Sequence, residues 1–197
     1  MNIVLATTNK GKCAEFSQEL ALLPIFERIL TLADFPQLGP ILEDGKTFEE
    51  NAVIKAQTVC DYTKMAAVAD DSGLCVEALH GEPGIFSARY SGQDATDERN
   101  IAKLLEKMLG KTDRRIRFVC AIACVFPDGR KIQAAGSWQG LLTQEPIGHN
   151  GFGYDPVFWD EELQKTAAQM TVQEKNKRSH RGKALRHFIR LLAETVR

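Results

Sequence analysis

The stretch IRFVCAIACVFPDGRKIQAAGS, Ile116 to Ser137, decides the fold. From Ile116 to Phe126 apolar residues take nearly every position, the pattern of a strand covered on both faces rather than one with a wet side. PDGR, residues 127–130, is a turn signal, and Lys131 to Ser137 is expected to return as the second strand of a hairpin. Around this hairpin, helical and strand patterns mix without strict βαβ alternation. That combination predicts an α/β protein with a mixed central sheet.

Working outward, Ile3 to Ala6 reads as a short buried strand. The polar loop TTNKGK (7–12) follows, then a helix from about Cys13 to Leu23. Phe16, Leu20 and Leu23 fall on one face of that helix, and Pro24 ends it. ADFPQLGPILEDGK (33–46), with two prolines and two glycines, is expected to be irregular, a linker or a mobile flap. Thr47 with Glu50 three residues on is a capping-box signature. It opens a helix to about Lys64 that buries Phe48, Ala52, Ala56 and Val59. MAAVA (65–69) then reads as a buried strand ending at Asp70. HGEPGIFSARYSG (80–92) is loop-rich. A further amphipathic helix carries Ile101, Leu104, Leu105 and Met108. Beyond the hairpin, GHNGFGYDPVF (148–158) reads as a loop. A last helix from about Lys183 turns Leu185, Phe188, Leu192 and Val196 inward.

At 197 residues the chain can form one sizeable domain, 1–197, or two small lobes sharing a core. A formal net charge of −1 gives no general reason to expect nucleic acid as a partner. The N-terminal apolar run is too short for a signal peptide, and no stretch of about 18 apolar residues occurs. A cytoplasmic protein without membrane contact is expected. The cysteines (13, 60, 75, 120 and 124) are scattered through apolar segments without CxxC spacing, so they read as buried reduced thiols.

Four clusters could carry chemistry. TTNKGK, between a strand and a helix N-terminus, offers donors from Thr7, Thr8 and Asn9 and charge from Lys10 and Lys12 to an anion. It lacks Walker A spacing, and a plain capped turn competes with the phosphate reading. Glu43 with Asp70 and Asp71 could hold Mg²⁺, which needs only one or two carboxylates beside water and phosphate oxygens. The competing reading of DDSG is a solvated turn. Lys55, on the capped helix but off its apolar stripe, could reach a phosphate. In GFGYDPVF, Phe152 and Tyr154 flank a glycine and offer stacking faces; a buried apolar turn is the alternative. In EKNKRSHRGKALR, Lys175, His180 and Arg181 could read oxygen acceptors on a base, although such basic runs are usually solvated. Together the clusters supply the parts of a metal-dependent nucleotide hydrolase.

The motifs TTNKGK, EDGKTFEENAVIKA, ADDSGL, GEPGIFSARYSG, GFGYDPVF and SHRGKAL, in this order from Thr7 to Leu185, resemble the inosine triphosphate pyrophosphatase family, the XTP/dITP diphosphatases. The resemblance implies Mg²⁺-dependent hydrolysis of deaminated purine nucleoside triphosphates (ITP, dITP, XTP) to monophosphate and pyrophosphate. It also implies an elongated two-lobed single domain, an active site in the cleft between the lobes, and a homodimer. Carried over by motif, Thr7, Thr8, Asn9, Lys10, Gly11, Lys12 and Lys55 would hold the triphosphate. Glu43 and Asp71 would bind Mg²⁺, with Asp71 as general base and Asp70 beside it. Ser72, Phe152, Gly153, Tyr154, Asp155, Lys175, His180 and Arg181 would complete the nucleotide site. Thr8 stands where many members have glycine, and Phe86 where tyrosine is frequent. Donors from His180, Arg181 or Lys175 would be satisfied by the 6-oxygen of hypoxanthine and would face another donor on adenine. A site built on such bonds can reject the wrong base by about 10⁴-fold. Two other classes fit the same parts: a metal-dependent phosphomonoesterase and a non-catalytic nucleotide-binding module.

Overall fold

The structure is a computed structural model that describes residues 1–21 and 23–195, and of Lys10 only the backbone. In chain order the elements are β1 (Asn2–Leu5), α1 (Lys10–Leu20), β2 (Arg28–Thr31), α2 (Phe48–Thr63), β3 (Ala66–Val76), α3 (Asp97–Lys107), β4 (Arg115–Val125), β5 (Lys131–Leu142), β6 (Phe158–Asp160), β7 (Lys165–Thr166), α4 (Val172–Arg178) and α5 (His180–Thr195). The strands form one sheet in the order β2-β1-β3-β4-β5-β6-β7. β1 runs parallel to β2 and β3, whereas β6 is antiparallel to β5 and β7, so the sheet is mixed as expected. Among the described residues no helix is long and apolar enough to cross a membrane.

The hairpin that decides the fold closes at Phe126, whose N–H bonds Arg130 O at 3.0 Å. Only the second half of β4 is covered on both faces. Cys120 to Val125 are all buried, whereas Arg115 to Val119 alternate. β5 runs five residues beyond the expected Ser137, because Trp138, Gly140 and Leu142 continue its inward register.

Two compact units divide the chain. The first comprises Met1–Asp71, Cys120–Ala135 and α5 from Ala184 onward. Its core packs Phe16 and Leu20 of α1 and Leu185, Phe188 and Leu192 of α5 with Ile3, Leu5, Ile122 and Cys124 of the strands. Burying a side chain such as Phe188 contributes about 2–3 kcal/mol. Val196, expected on this inward face, lies outside the described residues. The second unit comprises Ser72–Val119 and Gly136–Lys183. Leu104 and Met108 of α3 join Val76, Phe118, Trp138 and Phe158 in its core. Truncating the fully buried Leu104 to alanine would cost about 2–5 kcal/mol. All five cysteines are thiols, and all but Cys13 are buried.

Several boundaries differ from those the sequence suggested. β3 does not stop at Asp70 but continues to Val76, so DDSG is strand, not turn. Leu74 and Val76 are fully buried and carry the strand onward. α1 begins at Lys10 rather than Cys13, because the Asn9 side chain accepts from Lys12 N and caps the helix early. α2 starts as expected with Thr47 Oγ1 accepting from Glu50 N at 3.1 Å. Glu50, however, reaches past the cap to Lys46 N at 2.6 Å. The basic run 174–186 holds two helices: Thr171 and Glu174 form a full capping box for α4, and α5 starts at His180 rather than Lys183. Extended Ser179 separates them, its Oγ accepting from Gly182 N at 3.0 Å. The short strands β2, β6 and β7 have too few residues to leave a periodic signal.

Candidate active site

In the first unit the loop TTNKGK is shorter than it looks, since Lys10, Gly11 and Lys12 already form the first turn of α1. Thr7 Oγ1 accepts from Asn9 N at 3.2 Å, and Asn9 Oδ1 from Lys12 N at 3.1 Å. Thr8 and Asn9 are exposed. An eleven-residue helix directs its N-terminal dipole and remaining N–H groups at this loop, a setting that favours an anion. Lys12 Nζ lies 2.8 Å from Asp70 Oδ2.

The two aspartates avoid each other by geometry. Successive residues of a strand point to opposite faces of the sheet, and each acid meets its own lysine. The Asp70 side chain is fully buried, paired with Lys12, and its Oδ2 also accepts from Cys120 Sγ at 3.9 Å. Asp71, 8% exposed, accepts from Asn51 Nδ2 at 3.0 Å and lies 3.5 Å from Lys55 Nζ. Lys55 Nζ also donates to Glu43 Oε2 at 2.8 Å. Burial pushes the Asp71 carboxyl above its ordinary value, outweighing the pull of Lys55, Asn51 and Lys12. Burial alone would lower Lys55, but Asp71, the bond to Glu43 and the charge of Asp70 together raise it and keep it an ammonium.

Glu43 and Asp71 thus converge on one cationic atom. Two hard carboxylate oxygens around a single positive centre are the donor set that Mg²⁺ uses when water and phosphate fill its remaining positions. Among the described residues no three His, Cys, Asp or Glu side chains assemble into a fuller metal cage. The chemistry of the pair fits a hard divalent cation held partly by its substrate.

In the second unit the loop 151–155 wraps around buried Asp155, whose Oδ2 accepts from Phe152 N at 2.9 Å and pairs with Lys175. Gly153 N donates to Asp97 Oδ2 at 2.6 Å. Tyr154 is a core residue whose hydroxyl donates to Ser87 O at 2.9 Å, and burial raises its pKa well above the ordinary phenol value. Phe152 presents its ring face to Lys175 Nζ at 4.8 Å and to the Arg181 guanidinium at 5.5 Å from the centroid. Arg181 Nη2 also donates to Ser72 Oγ at 3.3 Å. His180 is stacked on Phe118, centroids 4.7 Å apart, and Phe118 on Phe158 at 4.6 Å. Ser72, Phe152, Asp155, Lys175 and Arg181 are therefore one connected group. His180 joins the same unit through its aromatic stack.

Three side chains that hold these groups, Asn51, Asp160 and Phe118, were not singled out by sequence. Asn51 had a signal: it lies one helical turn before Lys55, on the same face of α2. Asp160, 1% exposed, accepts from Trp138 Nε1 at 2.8 Å and Arg178 Nε at 2.7 Å, fixing the residue two before His180. Phe118 and Asp160 gave no local cue, because their roles arise only from strand pairing and helix docking, and Arg178 stands in the sequence only as one charge of the basic run 174–186.

Comparison with known proteins identifies the family and the fold. The model of the Ham1 family matches residues 3–191. The dITP/XTP pyrophosphatase of Nitratidesulfovibrio vulgaris is 49% identical, covering 96% of this chain and 94% of that protein. The dITP/XTP pyrophosphatase of Lactiplantibacillus plantarum is 47% identical, covering 95% of this chain and 92% of that protein. The solved structure of the Staphylococcus aureus Ham1 protein superposes with a TM-score of 0.91 at 39% identity, covering 99% of this chain and 100% of that one. A HAM1 protein from Coxiella burnetii does so with a TM-score of 0.90 at 41% identity, covering 98% and 99%. With a family match spanning nearly its whole length, the chain belongs to the Ham1 family.

Proposed function

We propose that the protein hydrolyses deaminated purine nucleoside triphosphates, dITP, ITP and XTP, to the monophosphate and pyrophosphate, with Mg²⁺ as cofactor. The observation that carries this reading is Lys55, whose ammonium lies within 3.5 Å of both Glu43 and Asp71 beside the N-terminus of α1 in the same unit. The dITP/XTP pyrophosphatases among its relatives, at 42–49% identity, support the substrate class.

Glu43 and Asp71 are the residues that would hold the metal, which when bound would neutralise phosphate charge and favour ionisation of water. Asp71 accepts the proton of the attacking water. Lys12, Lys55 and the first turn of α1, with Thr7 to Gly11 around it, hold the phosphates and offset growing negative charge. Asp70 holds Lys12 in place. In the second unit Lys175, His180 and Arg181 donate to the 6-oxygen of the base, Phe152 and Ser72 restrain Arg181, and Asp155 shapes the loop of Gly153 and Tyr154. Residues 1–197 act as one catalytic domain, cytoplasmic and paired with a second copy.

The deciding experiment is a hydrolysis panel over ITP, dITP, XTP, GTP and ATP, with and without Mg²⁺, detecting pyrophosphate. Pyrophosphate from the deaminated purines, lost on chelation, is expected. Inorganic phosphate as the sole product would reject the pyrophosphatase reading. Binding without turnover would make it a nucleotide-binding module. Size-exclusion chromatography with light scattering tests the dimer.

A further inference from the structure

Asn51 is 1% exposed and sits one helical turn before Lys55 on α2. Gly45 N donates to its Oδ1 at 2.9 Å, and its Nδ2 donates to Asp71 Oδ2 at 3.0 Å. A backbone N–H can only donate, so the amide oxygen must face Gly45 and the NH₂ must face Asp71. That direction makes Asp71 Oδ2 an acceptor and leaves Oδ1 to Lys55, 3.5 Å away.

Gly45 lies two residues beyond Glu43, so one buried amide fastens the Glu43 loop to the strand that bears Asp71. The contact is close. A Cβ on Gly45 would lie 2.6 Å from Asn51 Oδ1 and 2.8 Å from Glu50 Cβ. The adjoining residue is fastened as well, since Lys46 N donates to Glu50 Oε2 at 2.6 Å. Lys55 forms a second tie between the same two acids, at 2.8 Å to Glu43 and 3.5 Å to Asp71. The two ties differ in charge. An ammonium between the carboxylates opposes a divalent cation there, whereas a neutral amide holds the acids together without competing for it.

We propose that Asn51 is the positioning residue that sets Glu43 and Asp71 at the separation a divalent cation needs, through its paired bonds to Gly45 and Asp71. The inference rests on the reading of these two acids as the metal-holding pair. Asn51 acts through Asp71 and the Glu43 loop, which it holds from behind. It stands behind the ligands, as outer partners of metal ligands do.

The test is Asn51→Ala, read by Mn²⁺ binding in electron paramagnetic resonance without nucleotide and by the Mg²⁺ dependence of hydrolysis. Mn²⁺ affinity should weaken about 10–100-fold, as on loss of other outer-shell partners, while KM for ITP at saturating Mg²⁺ changes less than about threefold. Half-saturating Mg²⁺ should rise in parallel. Gly45→Ala should move both readouts the same way without altering any acid, lysine or amide, because its added Cβ pushes the loop off Asn51. It carries the test alone if Asn51→Ala does not fold. Wild-type Mn²⁺ affinity and Mg²⁺ dependence in a folded Asn51→Ala, or in Gly45→Ala where only that variant folds, would overturn the proposal. Failure of the parent protein to release pyrophosphate, with Mn²⁺ binding still weakened by the variants, would sink the functional reading and leave this one standing.

Discussion

In the first unit two neighbouring acids are buried and each is met by a lysine from a different helix. In the second unit the recurring groups are cations, and they rest on aromatic faces and on two buried acids, Asp155 and Asp160. The acid pair is arranged by backbone alternation, which sends Asp70 to Lys12 and Asp71 to Lys55 and Asn51. The cation group is arranged by side-chain packing instead: Phe118 on His180, Phe152 against Lys175 and Arg181, Asp160 against Arg178. The contrast teaches where tolerance lies. The carboxylate of Asp71, fixed on its strand, has no alternative position, so its loss should act on rate. The cations on the rings face the base rather than the reacting phosphate in this reading, so their loss should act on affinity and selectivity.

The largest effect is expected at Asp71. Asp71→Asn keeps the shape and the approach of Asn51 and Lys55 but removes the base and a metal ligand. kcat for ITP should fall at least about 10³-fold, while nucleotide binding measured by calorimetry stays close to the parent's. A kcat near that of the parent would remove Asp71 from the base role. Its neighbour should behave in the opposite way. Asp70→Asn breaks a buried ion pair and leaves Lys12 uncompensated, so unfolding free energy should drop by about 3 kcal/mol. Its kcat should fall by less than about tenfold, since Asp70 acts through Lys12 rather than on the substrate. Chemical denaturation and steady-state kinetics on the two variants, compared side by side, would break the comparison if their losses matched.

The same contrast explains what could be read from the sequence. The mixed sheet, the hairpin, α2 with its cap and the buried faces of α3 and α5 were legible because long periodic segments report their own burial. Asp70 and Asp71 were legible as a pair but misplaced at a strand end. Polar residues inside a strand look like a turn until their partners are seen. Those partners, Lys12 and Lys55, are 58 and 16 residues away from the aspartates they meet, on separate helices. Asn51 could have been found from its helical spacing to Lys55. Phe118 and Asp160 could not, because nothing near them in the chain marks a stack on His180 or a clasp on Arg178. The start of α5 was missed for a related reason: His180 and Arg181 are polar, and only Ser179 capping Gly182 shows that the helix has begun.

In the second unit Arg181→Ala should narrow the preference for ITP over ATP by about 10- to 100-fold, mainly through KM for ITP. A buried donor aimed at a substrate oxygen discriminates by what it loses with the wrong base. Arg181 is 3% exposed and tied to Ser72, so it is fixed enough to discriminate. An unchanged ratio of kcat/KM values would mean that the base is read by other groups.

The smallest effect is expected at Phe152, and it separates two roles for the ring. Lys175 and Arg181 both lie over its face, at 4.8 and 5.5 Å, and a partly exposed cation–π contact contributes about 0.5–1 kcal/mol. Phe152→Leu preserves apolar bulk but removes the ring's negative face. If the ring serves to restrain the two cations, KM for ITP should rise only about two- to fivefold with kcat unchanged, the equivalent of one such contact. The salt bridge of Lys175 to Asp155 and the bond of Arg181 to Ser72 remain to hold both side chains. If the base itself stacks on Phe152, the loss should reach the 1–3 kcal/mol of a base–aromatic stack, about five- to 150-fold in KM. That loss should fall equally on ITP and ATP, because every purine has a π-face. A small loss confined to ITP therefore identifies Phe152 as support for the donors. A large loss shared by both nucleotides makes it a contact of the base.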